Sequence, residues 1–242
     1  MTMIKNNTRL IFLSLLACLS FCFADPKITV VYWNSPEAIP IQKRLSENAD
    51  FWRIVPHLTT QKTQTYCGIS SAITVLNVLG SSQHGDPVYY PYKYLTQDSF
   101  FTPSVLPYLS PDTVMSRGAD ITELRHAMEA HDVQVKTIYG DDISAHQLRN
   151  LLSQTLKSSD QYILVNYYRP YIGQSGDGHW SVLGAYDAES DRVLIMDVAR
   201  FHYLPAWVRI TDLLNAINTI DSLGNTRGLL IITPPPYSWR YI

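Results

Sequence analysis

Cys67 is the residue of this sequence best suited to covalent chemistry. A cysteine attacks as its thiolate, and a free thiol is only a few per cent ionised near neutral pH, so its surroundings must favour the anion. Cys67 opens a segment in which Ile69, Ala72, Ile73, Leu76 and Leu79 recur at helical spacing, with Gly80 as a stop. The pattern predicts a helix over Cys67–Leu79 with the thiol in its first turn, where unpaired N–H groups and the helix dipole favour negative charge. Gly68 is expected to leave room for a substrate carbonyl. Upstream, the amides of Gln61 and Gln64 can donate a hydrogen bond to the oxyanion that forms when the thiolate attacks a carbonyl.

Such a nucleophile needs a base, and the base needs a group that orients it. Of the seven histidines, His179 has the best context. It follows the glycine-rich loop 173–178 and opens an apolar run predicted as a strand. Folding the chain back about a turn at 187–190 makes a hairpin in which His179 lies across from position 197 or 198, with directly opposed Cβ atoms about 4.5–5.5 Å apart. Asp197 is the acidic residue inside the apolar run 193–198, where an ionisable group needs a partner. Each residue also has a plain reading: Cys67 as a small core residue, His179 as a satisfied loop histidine, Asp197 as a strand-end cap or partner of Arg200. Taken together, Cys67, His179 and Asp197 have the order of a papain-like thiol acyltransferase or hydrolase. Asp197→Asn is then expected to lower turnover while leaving folding near normal. The histidines show no metal-ligand spacing.

The elements that must position these groups change character along the chain. Helix starts are predicted after Asp120, with Glu123 three residues on, and after Ser144, with Gln147 three residues on. A Tyr- and Pro-rich loop is expected over 81–111. Short runs at 28–33, 162–167, 179–186, 192–198 and 229–233 suit strands, and the prolines at 234–236 end regular structure. The class is α+β: a helical lobe over about 25–160 carrying the cysteine, and an antiparallel β lobe over about 161–236 carrying His179 and Asp197.

Positive residues Lys5 and Arg9, then an apolar run from 10 to 23 ending at Ala24, give the layout of a secretory signal peptide over 1–24. The mature domain is then 25–242, secreted or periplasmic. The Leu15-Leu16-Ala17-Cys18 sequence offers lipoprotein anchoring at Cys18 as the alternative. Cys18 and Cys22 leave with the peptide, so Cys67 remains as a free thiol in an oxidising compartment. A net charge of −2 and the lack of any Lys or Arg run argue against nucleic acid as a partner.

Residues 61–68 (Gln-Lys-Thr-Gln-Thr-Tyr-Cys-Gly) with Leu76-Asn77 resemble the nucleophile segment of phytochelatin synthases. The likeness continues in 96–101, in Gly178-His179-Trp180-Ser181, in 195–200, in 218–222 and in Thr226-Arg227-Gly228. The resemblance implies a papain-like fold and a catalytic triad of Cys67, His179 and Asp197. Gln61 and the Cys67 backbone N–H would form the oxyanion hole. It further implies glutathione as substrate, with glycine leaving and γ-glutamylcysteine held as a thioester. Asp221 and Arg227, with Asn166 as a further contact, would hold the γ-glutamyl end; read without the resemblance, Asp221 and Arg227 are an ordinary surface ion pair. No tightly bound cofactor or protein-held metal is expected, and cadmium or zinc would enter as a glutathione thiolate. A homodimer is one further partner expectation.

Plant members of that family carry a cysteine-rich C-terminal region, and this sequence stops at Ile242 without one. Short bacterial members are more similar, so hydrolysis is expected to exceed transfer to a second glutathione. A non-catalytic periplasmic binder of glutathione or metal thiolates, and a broader papain-like peptidase, are the alternatives.

Overall fold

The computed structural model of the protein describes residues 30–80, 85–157 and 160–234. The predicted signal peptide, with Cys18 and Cys22, lies outside the described residues, as do residues 28–29 of the first expected strand and His84.

Alternation of large apolar residues gives the strands two buried faces, and helices cover both. In chain order the elements are β1 (Val31–Tyr32), α1 (Ala38–Gln42), α2 (Ala49–Ile54), α3 (Cys67–Leu79), α4 (Pro111–Arg117) and α5 (Ile121–Glu129). Then come β2 (Gln134–Tyr139), α6 (Ala145–Thr155), β3 (Tyr162–Tyr168), β4 (Gly178–Asp187), β5 (Arg192–Asp197), β6 (Ala206–Arg209), α7 (Ile210–Ile217) and β7 (Gly228–Thr233). All pairings are antiparallel in one sheet of order β1-β6-β5-β4-β3-β7-β2. Leu164, Val182, Leu194, Met196 and Leu230 face the side covered by α3 and α5, while Ile163, Leu183, Val193, Ile195 and Leu229 face α6 and α7.

Several helix signals work as the sequence suggests. Helix α3 starts at Cys67 and stops at Gly80, whose φ of 61° lies in the left-handed region that glycine tolerates. Asp120–Glu123 and Ser144–Gln147 are both complete capping boxes. The mixed α+β class holds, but the division into a helical first part and a sheet second part does not run cleanly. Strands β1 and β2 come from the first part and close the two edges of the sheet, while α7 lies within the second. Strand β2 escapes the strand rule because Lys136 and Gln134 break its apolar pattern. Its partner β7 recruits it through six paired residues.

The β4–β5 hairpin carries the decisive irregularity. Pairing starts as Asp187 with Arg192 and Ala185 with Leu194, then shifts so that Leu183 faces Ile195 and Ser181 faces Asp197. Gly184 is the extra residue of this bulge, and a Cβ there would come 2.4 Å from Met196 Sδ. The expected pairing of His179 with position 197 or 198 is therefore corrected: the turn spans 188–191, one residue beyond the expected 187–190, which displaces the register by two, and the bulge recovers only one of these.

Candidate active site

The N-terminus of α3 points its first residue at the start of β4. The loop before the helix is pinned by Gln97, whose amide accepts from Lys62 N–H (2.9 Å) and donates to the Thr60 carbonyl (2.9 Å). Gly68 is buried, and its Cβ direction faces Leu124, Trp180 and Ala119. A Cβ there would make ordinary contacts of 3.4 Å with Leu124 and Trp180, so α3 packs closely against Trp180 at this point. Trp180 is itself fixed by its Nε1–H, which donates to the Ala119 carbonyl at 2.9 Å.

Cys67 is buried and is the free cysteine among the described residues. Burial pushes its thiol up, but the charge and hydrogen bond of His179, with backbone N–H groups of Trp180 and Gly68, outweigh this and leave it below its ordinary value. His179 Nε2 lies 2.8 Å from Asp197 Oδ1, so Nδ1 is the ring nitrogen left to face the thiol. Burial disfavours the imidazolium, yet Cys67 and Asp197 together raise His179 above the usual histidine value. The bulge explains how Asp197 gets there. Ser181 and His179 share a face of β4, Asp197 stands opposite Ser181, and the diagonal step to His179 is within reach of a carboxylate.

Asp197 has more partners than the sequence suggests. Arg169, just past β3, is buried and places Nη1 at 2.8 Å from Oδ2 and Nη2 at 3.1 Å from Oδ1. The Ala199 N–H donates to Oδ1 at 2.8 Å. Burial alone would raise this carboxyl, but His179 and Arg169 hold it well below the usual carboxylate range. Sequence reasoning missed Arg169, and the only signal available was an arginine closing the apolar run 162–168 immediately before Pro170.

A cleft of about 1000 Å³ opens over Cys67 and His179. Gln61, Gln64, Asn166, Asp221 and Arg227 line it, so each sequence-predicted residue reaches one site. Gln61 is buried and its Nε2 donates to the Thr63 carbonyl at 2.8 Å, leaving the second N–H of that amide free. Asn166 sits in β3 between Trp180 of β4 and Gly228 of β7. Asp221 shapes its own turn, with Oδ1 accepting from the N–H groups of Leu223 (2.8 Å) and Asn225 (2.9 Å). Arg227 is buried with Nε and Nη1 lacking partners, which rules out the surface ion-pair reading. Burial lowers its guanidinium, with Asp221 acting against the shift. A buried guanidinium with unmet donors on a cleft wall is suited to a carboxylate. Among the described residues, no three His, Cys, Asp or Glu side chains group to hold a metal ion.

A thiol at a helix N-terminus, bonded to a histidine that a buried carboxylate orients, has the layout of a cysteine-dependent acyl-transfer centre. Comparison with known proteins narrows the class. Residues 27–229 match the family described as phytochelatin synthase, and the chain belongs to that family. It is 32% identical over 187 residues to glutathione gamma-glutamylcysteinyltransferase 1 of Lotus japonicus, covering 76% of this chain and 36% of that protein. The Arabidopsis thaliana protein of the same name is 30% identical over 187 residues, covering 76% of this chain and 37% of its own length. The Schizosaccharomyces pombe glutathione gamma-glutamylcysteinyltransferase is 23% identical over 219 residues, 84% of this chain and 50% of its own. The chain thus spans between about a third and a half of the lengths of these relatives. Among solved structures, a double glycine motif protease from an AMS/PCAT transporter, in complex with the leader peptide, matches with a TM-score of 0.40 and 12% identity. That match covers 73% of this chain and 90% of the other, and it adds nothing to the assignment.

Proposed function

We propose that this protein releases glycine from glutathione through a γ-glutamylcysteinyl thioester on Cys67, on a papain-like arrangement of its elements. The observation that carries the reading is the bonded series Cys67–His179–Asp197 in a cleft whose wall holds Arg227, with its Nε and Nη1 lacking hydrogen-bond partners.

In this reading the Cys67 thiolate adds to the carbonyl of the cysteinyl–glycine bond. Negative charge moves to the carbonyl oxygen, where the Cys67 backbone N–H and the free N–H of Gln61 receive it. One such donor contributes about 10²–10³ in rate. His179 then gives its Nδ1 proton to the departing glycine nitrogen, the C–N bond breaks and the thioester remains. Neutral His179 next takes a proton from water, or from the amine of a second glutathione, and the new nucleophile expels the thiolate. Asp197 holds the ring oriented and stabilises the imidazolium throughout. Arg227 pairs with the α-carboxylate of the γ-glutamyl group, Asp221 faces its α-ammonium, and Asn166 adds a polar contact. Cadmium or zinc takes part as a thiolate of the acceptor glutathione, not as a group held by the protein. Export by a signal peptide over 1–24 belongs to this proposal too.

The test is to follow glycine and γ-glutamylcysteine on incubation with glutathione, alongside peptides whose first residue is α-linked. Stable binding heat with unchanged glutathione would instead identify a binding protein, and ready cleavage of α-linked peptides a general peptidase.

A further inference from the structure

The buried guanidinium of Arg169 lines the same cleft as Cys67 and His179 and bonds the Asp197 carboxylate. It makes two contacts to the carboxylate, 2.8 Å and 3.1 Å, and is itself held from several directions. Gln174 Oε1 accepts from Nη1. The Tyr203 ring lies under the guanidinium at 4.8 Å and the Tyr167 ring at 5.8 Å. Tyr203 is tied to the glycine-rich loop, its hydroxyl accepting from Ser175 N–H at 2.8 Å, and it stacks on Tyr32 of β1. Gln174 also hydrogen-bonds Tyr32. A continuous series thus runs from the first strand through Gln174 and Arg169 to Asp197, His179 and Cys67.

From this geometry we infer that Arg169 is a positioning residue, clamping the Asp197 carboxylate so that one oxygen faces His179 while supplying the positive charge that balances the site. The inference rests on reading Cys67, His179 and Asp197 as one reacting unit.

The alternative is that Arg169 is there because a buried aspartate needs any partner. The arrangement argues against that. A single donor would satisfy charge, whereas a planar fork takes both carboxylate oxygens and fixes the plane in which Oδ1 meets Nε2. The charge has a second consequence. The titratable groups facing Arg169 are Asp197 from β5, Tyr167 from β3 and Cys67 from α3, with Tyr32 and Tyr203 beyond, and His179 is bonded to the same carboxylate. Any cation in this cluster lowers the proton affinity of its neighbours. Removing it must raise both the thiol and the imidazolium, which displaces the reactive pH range upward.

Iodoacetamide labelling of Cys67 in the full-length chain, read by mass spectrometry of the peptide that carries it, needs no glutathione. It therefore tests Arg169 even if the substrate is something else. In Arg169→Gln the labelling profile should move to higher pH, with labelling about tenfold slower at neutral pH, the size of a one-unit displacement. A profile at the wild-type position would overturn the inference. If Arg169→Gln fails to fold, Arg169→Lys decides the matter, because lysine keeps the charge but not the fork. The downfield proton resonance of the His179 Nε2–H bonded to Asp197 should then weaken or vanish in Arg169→Lys. An unchanged resonance would reduce Arg169 to a plain charge partner.

Discussion

Asp197 pairs with Ser181 across the β4–β5 ladder, yet its carboxylate bonds His179, two residues further along β4, at 2.8 Å. Continuing the pairing of the turn end, in which Ala185 faces Leu194, would bring Val198 opposite Ser181 and turn Asp197 to the other face. The bulge at Gly184 shifts the register by one and keeps Asp197 on the His179 face. The orienting group of this site therefore depends on a backbone irregularity several residues away.

Asp197→Asn should abolish most turnover. Losing the correct ring orientation costs about 10⁴ in an analogous serine triad, and retention of more than about a tenth of the rate, a loss under 1.4 kcal/mol, would remove Asp197 from its role. Folding will not stay near normal, contrary to the expectation from sequence, because the change strands the buried Arg169 charge. Breaking such a pair costs about 3–5 kcal/mol, to be read as a lower denaturant midpoint. The sign with pH follows from the depressed carboxyl of Asp197. Its contribution is present above the unfolded carboxyl pKa of about 3.9 and is lost as pH falls through the lower folded value, so Asp197→Asn should lack that acid-dependent part.

Turnover should follow a bell in pH. On the acid side the thiolate is lost as pH falls through the Cys67 value, which lies below that of an ordinary thiol. On the alkaline side the imidazolium that protonates glycine is lost as pH rises through the His179 value, which lies above that of an ordinary histidine. The measurement is kcat/KM against pH, and a rate still rising well above pH 10 would contradict the assignment of the acid.

Cys67→Ser should leave glutathione uncleaved, since a serine hydroxyl does not ionise in the field that lowers the thiol. Glycine release is the readout, with circular dichroism to show that the fold persists. Activity equal to wild type would end the thioester mechanism.

Gly178→Ala tests Arg227. A Cβ on Gly178 would come 2.3 Å from Nη2 of Arg227, so the guanidinium must move off the cleft wall. KM for glutathione should rise about tenfold, some 1.4 kcal/mol of binding, while labelling of Cys67 by iodoacetamide keeps its pH profile. An unchanged KM would take Arg227 out of substrate binding.

The thioester can be resolved by water or by a second glutathione, according to which is better positioned. With one cysteine among the described residues, the domain has no further thiol there to gather a metal thiolate. Chromatography at millimolar glutathione, with and without cadmium or zinc, should show mainly γ-glutamylcysteine and glycine. Longer γ-Glu-Cys oligomers as the main product would mean that the cleft itself orients an acceptor.

What the sequence by itself determined is local. The extent of α3, its stop at Gly80, both capping boxes and the β3, β4 and β7 runs are legible because caps, turns and side-chain period act within a few residues. The choice of Cys67, His179 and Asp197 as a set came from residue type and order, and that of Asn166, Asp221 and Arg227 from family resemblance alone. Only the tertiary structure decided the rest. The edge strand β2 exists because β7, far along the chain, recruits it. The bulge at Gly184 sets which face Asp197 occupies. The burial of Arg169 and Arg227 depends on strands and loops closing over them. No local rule carries such information, because burial and register are settled between segments that meet only when the sheet is complete.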